Sequence, residues 1–231
     1  MNHTSRLVAS VLALGIAVIL PPTPVTAGTA LFVKIIPDVN HKKGTADWVA
    51  ATPAGIISVG DMVSTGEEAL AVIKFADKSI VKVRENSELV VTGSVDETKI
   101  VKEVDVQKGV IGFIIGKQER NDQFRFTSPT SVAAIRGTQG AFTVRGEADT
   151  LIVTEGTIRL TNTPSGDSLD VAAGFTGISK PDGSLEVRAS TPEEVAAAQE
   201  SIDSGEADNL FELDLQDGQG NKKKLKIDFK D

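Results

Sequence analysis

Thr127-Ser128-Pro129-Thr130-Ser131-Val132-Ala133-Ala134-Ile135-Arg136-Gly137-Thr138-Gln139-Gly140-Ala141-Phe142-Thr143-Val144 is the stretch that decides how this chain is built. Pro129 lacks an N–H and closes the strand before it. Val132, Ala133 and Ala134 are small enough to let two backbones approach closely. Gly137 supplies the turn or bulge that follows Arg136, and Thr138 opens the next strand. Arg136 offers five donors in a fixed fork. Its expected role is an inward-reaching tie to backbone carbonyls or a carboxylate.

Outward from this stretch, short alternating runs rich in Val, Ile, Thr and Phe are separated by Gly, Asp, Asn and Pro. Strands are predicted over 31–36, 69–75, 79–84, 88–92, 99–104, 109–115 and 123–127 on the N-terminal side. On the C-terminal side they fall at 141–145, 150–154, 157–161, 168–171, 175–178 and 184–187. This spacing is that of an all-β sandwich, barrel or solenoid. Ile80, Lys82 and Arg84 alternate with Val81 and Val83, and Ile158 and Leu160 alternate with polar neighbours, so the sheets are expected to keep one wet face. The run 109–115 is nearly all apolar and reads as a strand buried on both faces. No internal repeat is visible, so nothing forces a solenoid.

Two further elements follow. Thr191-Pro192-Glu193-Glu194 is a capping box with Pro at the first helical position, and it predicts a helix over 191–203. Its Ala-rich composition gives a weak apolar stripe, so it is expected on the surface. Residues 204–209 read as a linker. The tail 210–231 reads as a β-hairpin: Phe211, Leu213 and Leu215 alternate with acids, and Leu225, Ile227 and Phe229 come back beside lysines. Acids on one arm should face lysines on the other. A lone hairpin is marginal, so it should dock on the main domain or a partner.

The N-terminus places the chain. A short polar start with Arg6 precedes the apolar run 7–20, prolines stop it, and Val25-Thr26-Ala27 ends in a small-residue cleavage pattern. Residues 1–27 are therefore expected to be a cleaved signal peptide, the run being too short to span a bilayer. No transmembrane span is expected after its removal, and the location is periplasmic or secreted. The chain carries a net charge of −8 and has no cysteine. The acidic balance argues against nucleic acid or an anionic membrane surface as partners. The lack of cysteine removes disulfides and leaves stability to an apolar core.

Catalytic tools are scarce. His41 is the one histidine left once the leader is gone, and its polar setting reads as a solvated loop. A Ser–His–Asp triad or a His/Cys zinc site lacks members. Glu85, Glu88, Asp96 and Glu97 keep a carboxylate-pair hydrolase open. The absence of tyrosine and the single Trp48 weaken a glycan- or peptidoglycan-binding role without removing it. Asp217-Gly218-Gln219-Gly220-Asn221 reads as a turn rather than a calcium loop. No catalytic, cofactor-binding or metal-ligating residue is assigned.

The central stretch resembles the FecR domain family, whose pattern centres on Pro-Thr, Ala and Arg-Gly-Thr. Here these are Pro129, Thr130, Ala133, Arg136, Gly137 and Thr138, with the family's Phe displaced to Phe142. Gly60-Asp61 with Thr65-Gly66 resembles the family's opening. Phe75-Ala76-Asp77-Lys78-Ser79 resembles its turn, with Lys78 in place of Gly. Gly109, Glu155-Gly156 and Ala173-Gly174 resemble later signatures. The match runs over 48–178 inside an all-β domain spanning 28–190. The resemblance implies a solenoid-like or sandwich-like stack of short strands on the outer side of a bacterial inner membrane, with Gly60, Asp61, Asp77, Pro129, Arg136, Gly137, Thr138, Glu155 and Gly156 in structural roles. In founding members the domain belongs to a membrane-bound sigma-factor regulator that relays transporter occupancy. This sequence shows no cytoplasmic domain before its apolar run and a short tail after Asn209. The expectation is therefore an exported, non-enzymatic binding, scaffolding or relay module with an envelope-protein partner.

Overall fold

The computed structural model describes residues 30–96, 99–118, 122–205, 210–216 and 222–228. The expected leader, the 217–221 turn, Glu97 and Phe229 lie outside these residues. The chain opens with β1 (Ala30–Ile36), β2 (Val39–Lys42), β3 (Val49–Ala50), β4 (Ile56–Ile57), β5 (Met62–Thr65) and β6 (Leu70–Phe75). Then come β7 (Ile80–Val83), β8 (Glu88–Asp96), β9 (Lys99–Ile115), β10 (Gln123–Thr127), β11 (Ser131–Ile135) and β12 (Thr138–Arg145). β13 (Ala148–Glu155), β14 (Thr157–Asn162), β15 (Ser168–Ala172), β16 (Phe175–Ser179) and β17 (Leu185–Ala189) complete the domain. Helix α1 (Pro192–Asp203) and the pair β18 (Leu210–Gln216) and β19 (Lys222–Asp228) follow.

The strands form two layers that share β9 and do not close into a barrel. The first layer runs β4-β1-β6-β7-β9-β12-β13-β16-β17. The second runs β3-β2-β5-β8-β9-β10-β11-β14-β15. All these pairings are antiparallel except β9 with β10. The runs 99–104 and 109–115, expected as separate strands, are the two arms of β9. Lys99–Lys108 pair with β8, and Gly109–Ile115 pair with β12. At the fold-over, Gly109 has φ +105°, and a Cβ there would lie 2.5 Å from Ser87 Cα. No other residue type fits that approach without displacing the backbone.

The core fills the space between the layers. Phe75 of the first layer meets Phe124 of the second edge-on at 5.1 Å. Phe126 of the second layer reaches Phe113 at 5.0 Å and stacks with Phe142 at 6.1 Å. Such pairs add about 0.5–1.5 kcal/mol each beyond their area burial. Alternation along each strand sends these residues inward, as the period-two pattern requires. Phe175, by contrast, is 42% exposed near the end of the stack.

The expectation of a wet outer face fails where α1, on the surface as expected, covers the first layer. Thr191 caps α1, its Oγ1 accepting from Glu194 N–H, while Glu194 accepts from Thr191 N–H at 2.9 Å. The helix lies across the outer face of β9, β12 and β13 with Ala198, Ser201 and Ile202 buried. Ala198 packs on Ala141 and Ile152. Gly112 leaves room for the Ser201 carbonyl, which a Cβ would overlap. Small residues are therefore the docking surface, because they let the helix backbone touch the sheet. Lys82 is buried beneath the helix end, donating to the Ile202 carbonyl. Arg84 donates to Ser204 Oγ and pairs with Glu200 at 3.0 Å. At the other end Arg188 grips Glu194 with two hydrogen bonds of 2.8 and 2.7 Å. The tail is a separate two-stranded sheet. Its register sets Glu212 opposite Lys226 and Asp214 opposite Lys224, as the charge pattern predicts.

Gly112→Val should lower stability by about 1–3 kcal/mol by lifting α1, read as a lower Tm in thermal unfolding. The Arg188 hydrogen bonds, opposed by burial, pull the Glu194 carboxyl from 4.5 to about 2. A depressed folded value stabilises above the unfolded pKa and is lost as pH falls through the folded one. Stability should therefore decline between pH 4.5 and 2. Glu194→Gln should flatten that part of a Tm–pH profile.

Candidate functional site

The signature residues gather at one end of the sandwich. Thr138 lies opposite Ile115, and Gln139 opposite Glu155, so the segments after β9, before β12 and after β13 share that end. Lys74 pairs with Ile80, and Ile80 with Ile114, which brings the β6–β7 turn there too. In the second layer, Met62 opposite Lys42 and Val90 sets Gly60 and Asp61 at the same end. Gly60, Gly137 and Gly156 have φ of +90°, +71° and +83°. Each sits where the chain leaves one layer for the other, a reversal that the left-handed conformation allows. Pro129 is the exception, lying in the β10–β11 turn at the opposite end.

Close contacts explain several signatures. A Cβ on Gly156 would come 2.5 Å from Thr138 Cγ2, so glycine makes space for that methyl. Thr138 is buried, and its hydroxyl has no hydrogen-bond partner among the described residues. Gln139 donates to Glu155 at 2.7 Å across the same pair of reversals. Asp61 accepts from Ser58 N–H at 2.9 Å and lies 3.1 Å from His41 Nε2. His41 is thus not a solvated loop residue. It is 5% exposed on β2, with Phe32 edge-on at 5.5 Å.

Asp77 anchors a second network. Its Oδ2 lies 3.0 Å from Lys102 Nζ and accepts from Gln118 Nε2 at 3.0 Å, while Ser79 N–H donates to Oδ1. Burial pushes the Asp77 carboxyl up, but hydrogen bonds from Gln118, Lys102 and Ser79 outweigh it and hold it below its usual value. Gln118 also donates to the Gly116 carbonyl, tying the exit of β9 to the β6–β7 turn. The pair is partly buried, and Lys102 also donates to Gln118 Oε1 at 3.2 Å, which closes the network.

Arg136 does not reach inward. Its side chain is exposed and makes no hydrogen bond or ion pair among the described residues. The inward tie is made instead by Asp149, which sequence reasoning missed. Asp149 is 2% exposed and accepts from Ser128, Thr130 and Ser131, the last at 2.7 Å. The Thr-Ser-Pro-Thr-Ser run therefore wraps a buried carboxylate about twenty residues from its centre that no repeat or motif marks. Only the cluster of hydroxyls around Pro129 hinted at an acceptor. Glu85 accepts from Glu68 N–H at 2.9 Å, and Glu88 lies 3.9 Å from Lys108. Burial raises the Asp105 carboxyl, with Thr127 opposing and Glu103 adding to the rise.

These features define a two-layer β domain with its signatures concentrated at one end. Residues 61–159 match the family described as FecR protein. Two crystal structures of a "putative anti-sigma factor from Parabacteroides distasonis ATCC 8503" share the fold, with a TM-score of 0.50 and 12% identity in each case. The similarity covers 59% of this chain and 63% or 62% of those chains, less than two thirds of their length. No curated protein matches the chain.

Arg136→Ala should leave stability within about 0.5 kcal/mol of wild type. Asp149→Ala should cost roughly 3 kcal/mol by stranding buried hydroxyls. Urea unfolding of the two variants distinguishes them.

Proposed function

We propose that this chain is an exported, non-enzymatic FecR-domain module that binds a protein partner in the bacterial cell envelope and relays a signal through it. The observation that carries this reading is the match of residues 61–159 to the FecR family. The fold shared with an anti-sigma factor favours a regulatory role for the domain. The sequence of residues 1–27 favours export. Among the described residues no helix is long and apolar enough to cross a membrane.

A carboxylate-dependent hydrolase would set two acids across a cleft with one pKa raised. Glu194, beside the shallow cleft at the start of α1, is instead held at about 2 by Arg188. Glu103 and Asp105 stand two apart on one strand, side by side rather than opposed. A glycan-associated role draws on Trp48, 41% exposed with Lys42 Nζ 6.0 Å from its ring.

Crosslinking of the tagged protein in its own host, followed by mass spectrometry, tests the proposal. The expected result is a chain beginning at Gly28 attached to a transporter or membrane-bound regulator. Capture of wall fragments alone, or a chain retaining residues 1–27 in the cytoplasm, would overturn it.

A further inference from the structure

We propose that Lys78, Lys117 and Arg136 form a docking ridge for an acidic peptide segment of a protein partner. The idea rests on the protein-binding role above and names its site. Lys78 sits in the β6–β7 turn, Lys117 just beyond β9, and Arg136 just before β12. β7, β9 and β12 are adjacent in the first layer, so the three cations lie in a row across the end of the sandwich. Neighbouring strands are about 4.8 Å apart, so the backbone positions span about 10 Å.

The backbones beneath them touch. A Cβ on Gly116 would lie 3.4 Å from the Asp77 carbonyl, and one on Gly137 would lie 3.4 Å from Lys117 Cα. The Asp77, Gln118 and Lys102 network fixes two of the three segments, so the ridge has a rigid base. All three side chains are exposed. Among the described residues none makes an ion pair or hydrogen bond, whereas Lys82, Arg84, Lys102, Arg159 and Arg188 are all engaged. Glu155, held by Gln139, bounds the ridge on the β13 side.

Three unpaired cations in a row attract carboxylates, and a segment of three or four residues in extended form, about 3.3 Å per residue, matches their span. The net charge of −8 disfavours a long polyanion, which would meet repulsion beyond the ridge. A short acidic run in a folded partner can span the three cations and stop before Glu155. Attraction of this kind raises the association rate and weakens with salt.

The test is fluorescence anisotropy of the purified chain with labelled hexaglutamate, with hexalysine as control and polyphosphate as competitor. We expect hexaglutamate to bind, to weaken as sodium chloride rises, and to lose at least tenfold in affinity in the K117E/R136E double variant with Tm unchanged. Lys78→Glu should lose several-fold by itself. Equal affinity in the double variant, no hexaglutamate binding at millimolar concentration, or polyphosphate binding that hexaglutamate does not displace would overturn the ridge. Crosslinking in the host separates this from the broader role. A partner still captured by the double variant overturns the ridge alone, whereas a wild-type chain that captures no protein overturns the protein-binding role.

Discussion

The fold-over of β9 at Gly109 is the constraint on which the rest of the molecule depends. One arm of the strand pairs with β8 and β10 in the second layer, the other with β7 and β12 in the first. Both layers are thereby built outward from a single covalent seam. The seam is tight because Ser87, fully buried at the β7–β8 reversal, presses against it and its hydroxyl accepts from Val110 N–H at 3.0 Å. A side chain at 109 would separate the arms and open the aromatic core between them. The phenylalanines from both layers meet because the seam sets the layers face to face.

Helix α1 acts as a strap on this frame. It begins at β16 and β17 through Arg188, Thr176 and Glu194 and ends over β7 through Lys82 and Arg84. It therefore crosses the first layer and clamps strands from both halves of the chain. The contact combines glycine, alanine and serine with Ile152 and Ile202, and the ion pairs at its two ends fix how the helix lies. Partly buried ion pairs of this sort hold geometry more than they add stability.

The signature residues combine two physical jobs. Gly60, Gly137 and Gly156 return the chain between layers, while Asp61 and Asp77 accept backbone N–H groups of the β4–β5 and β6–β7 connections. This concentration leaves Arg136 and Lys117 projecting from a well-braced surface. A residue kept for packing would be buried, as Asp149 is. Exposure on so rigid a base suits contact with another molecule.

The sequence by itself determined the all-β class, most strand positions, the capped helix and the register of the tail hairpin. Those features depend on local alternation, capping chemistry and turn residues, which act over a few positions. It also marked the signature residues. The tertiary structure decided what the sequence left open: that 99–104 and 109–115 are one strand, that β11 exists in a run too small and smooth to announce itself, and that Lys82 lies under a helix. It likewise placed His41 in the core against Asp61, hid Asp149 under three hydroxyls, and turned Arg136 outward. Each of these depends on which distant segments meet, and a polar residue carries no local sign of whether its partner is water or a buried group over a hundred positions away.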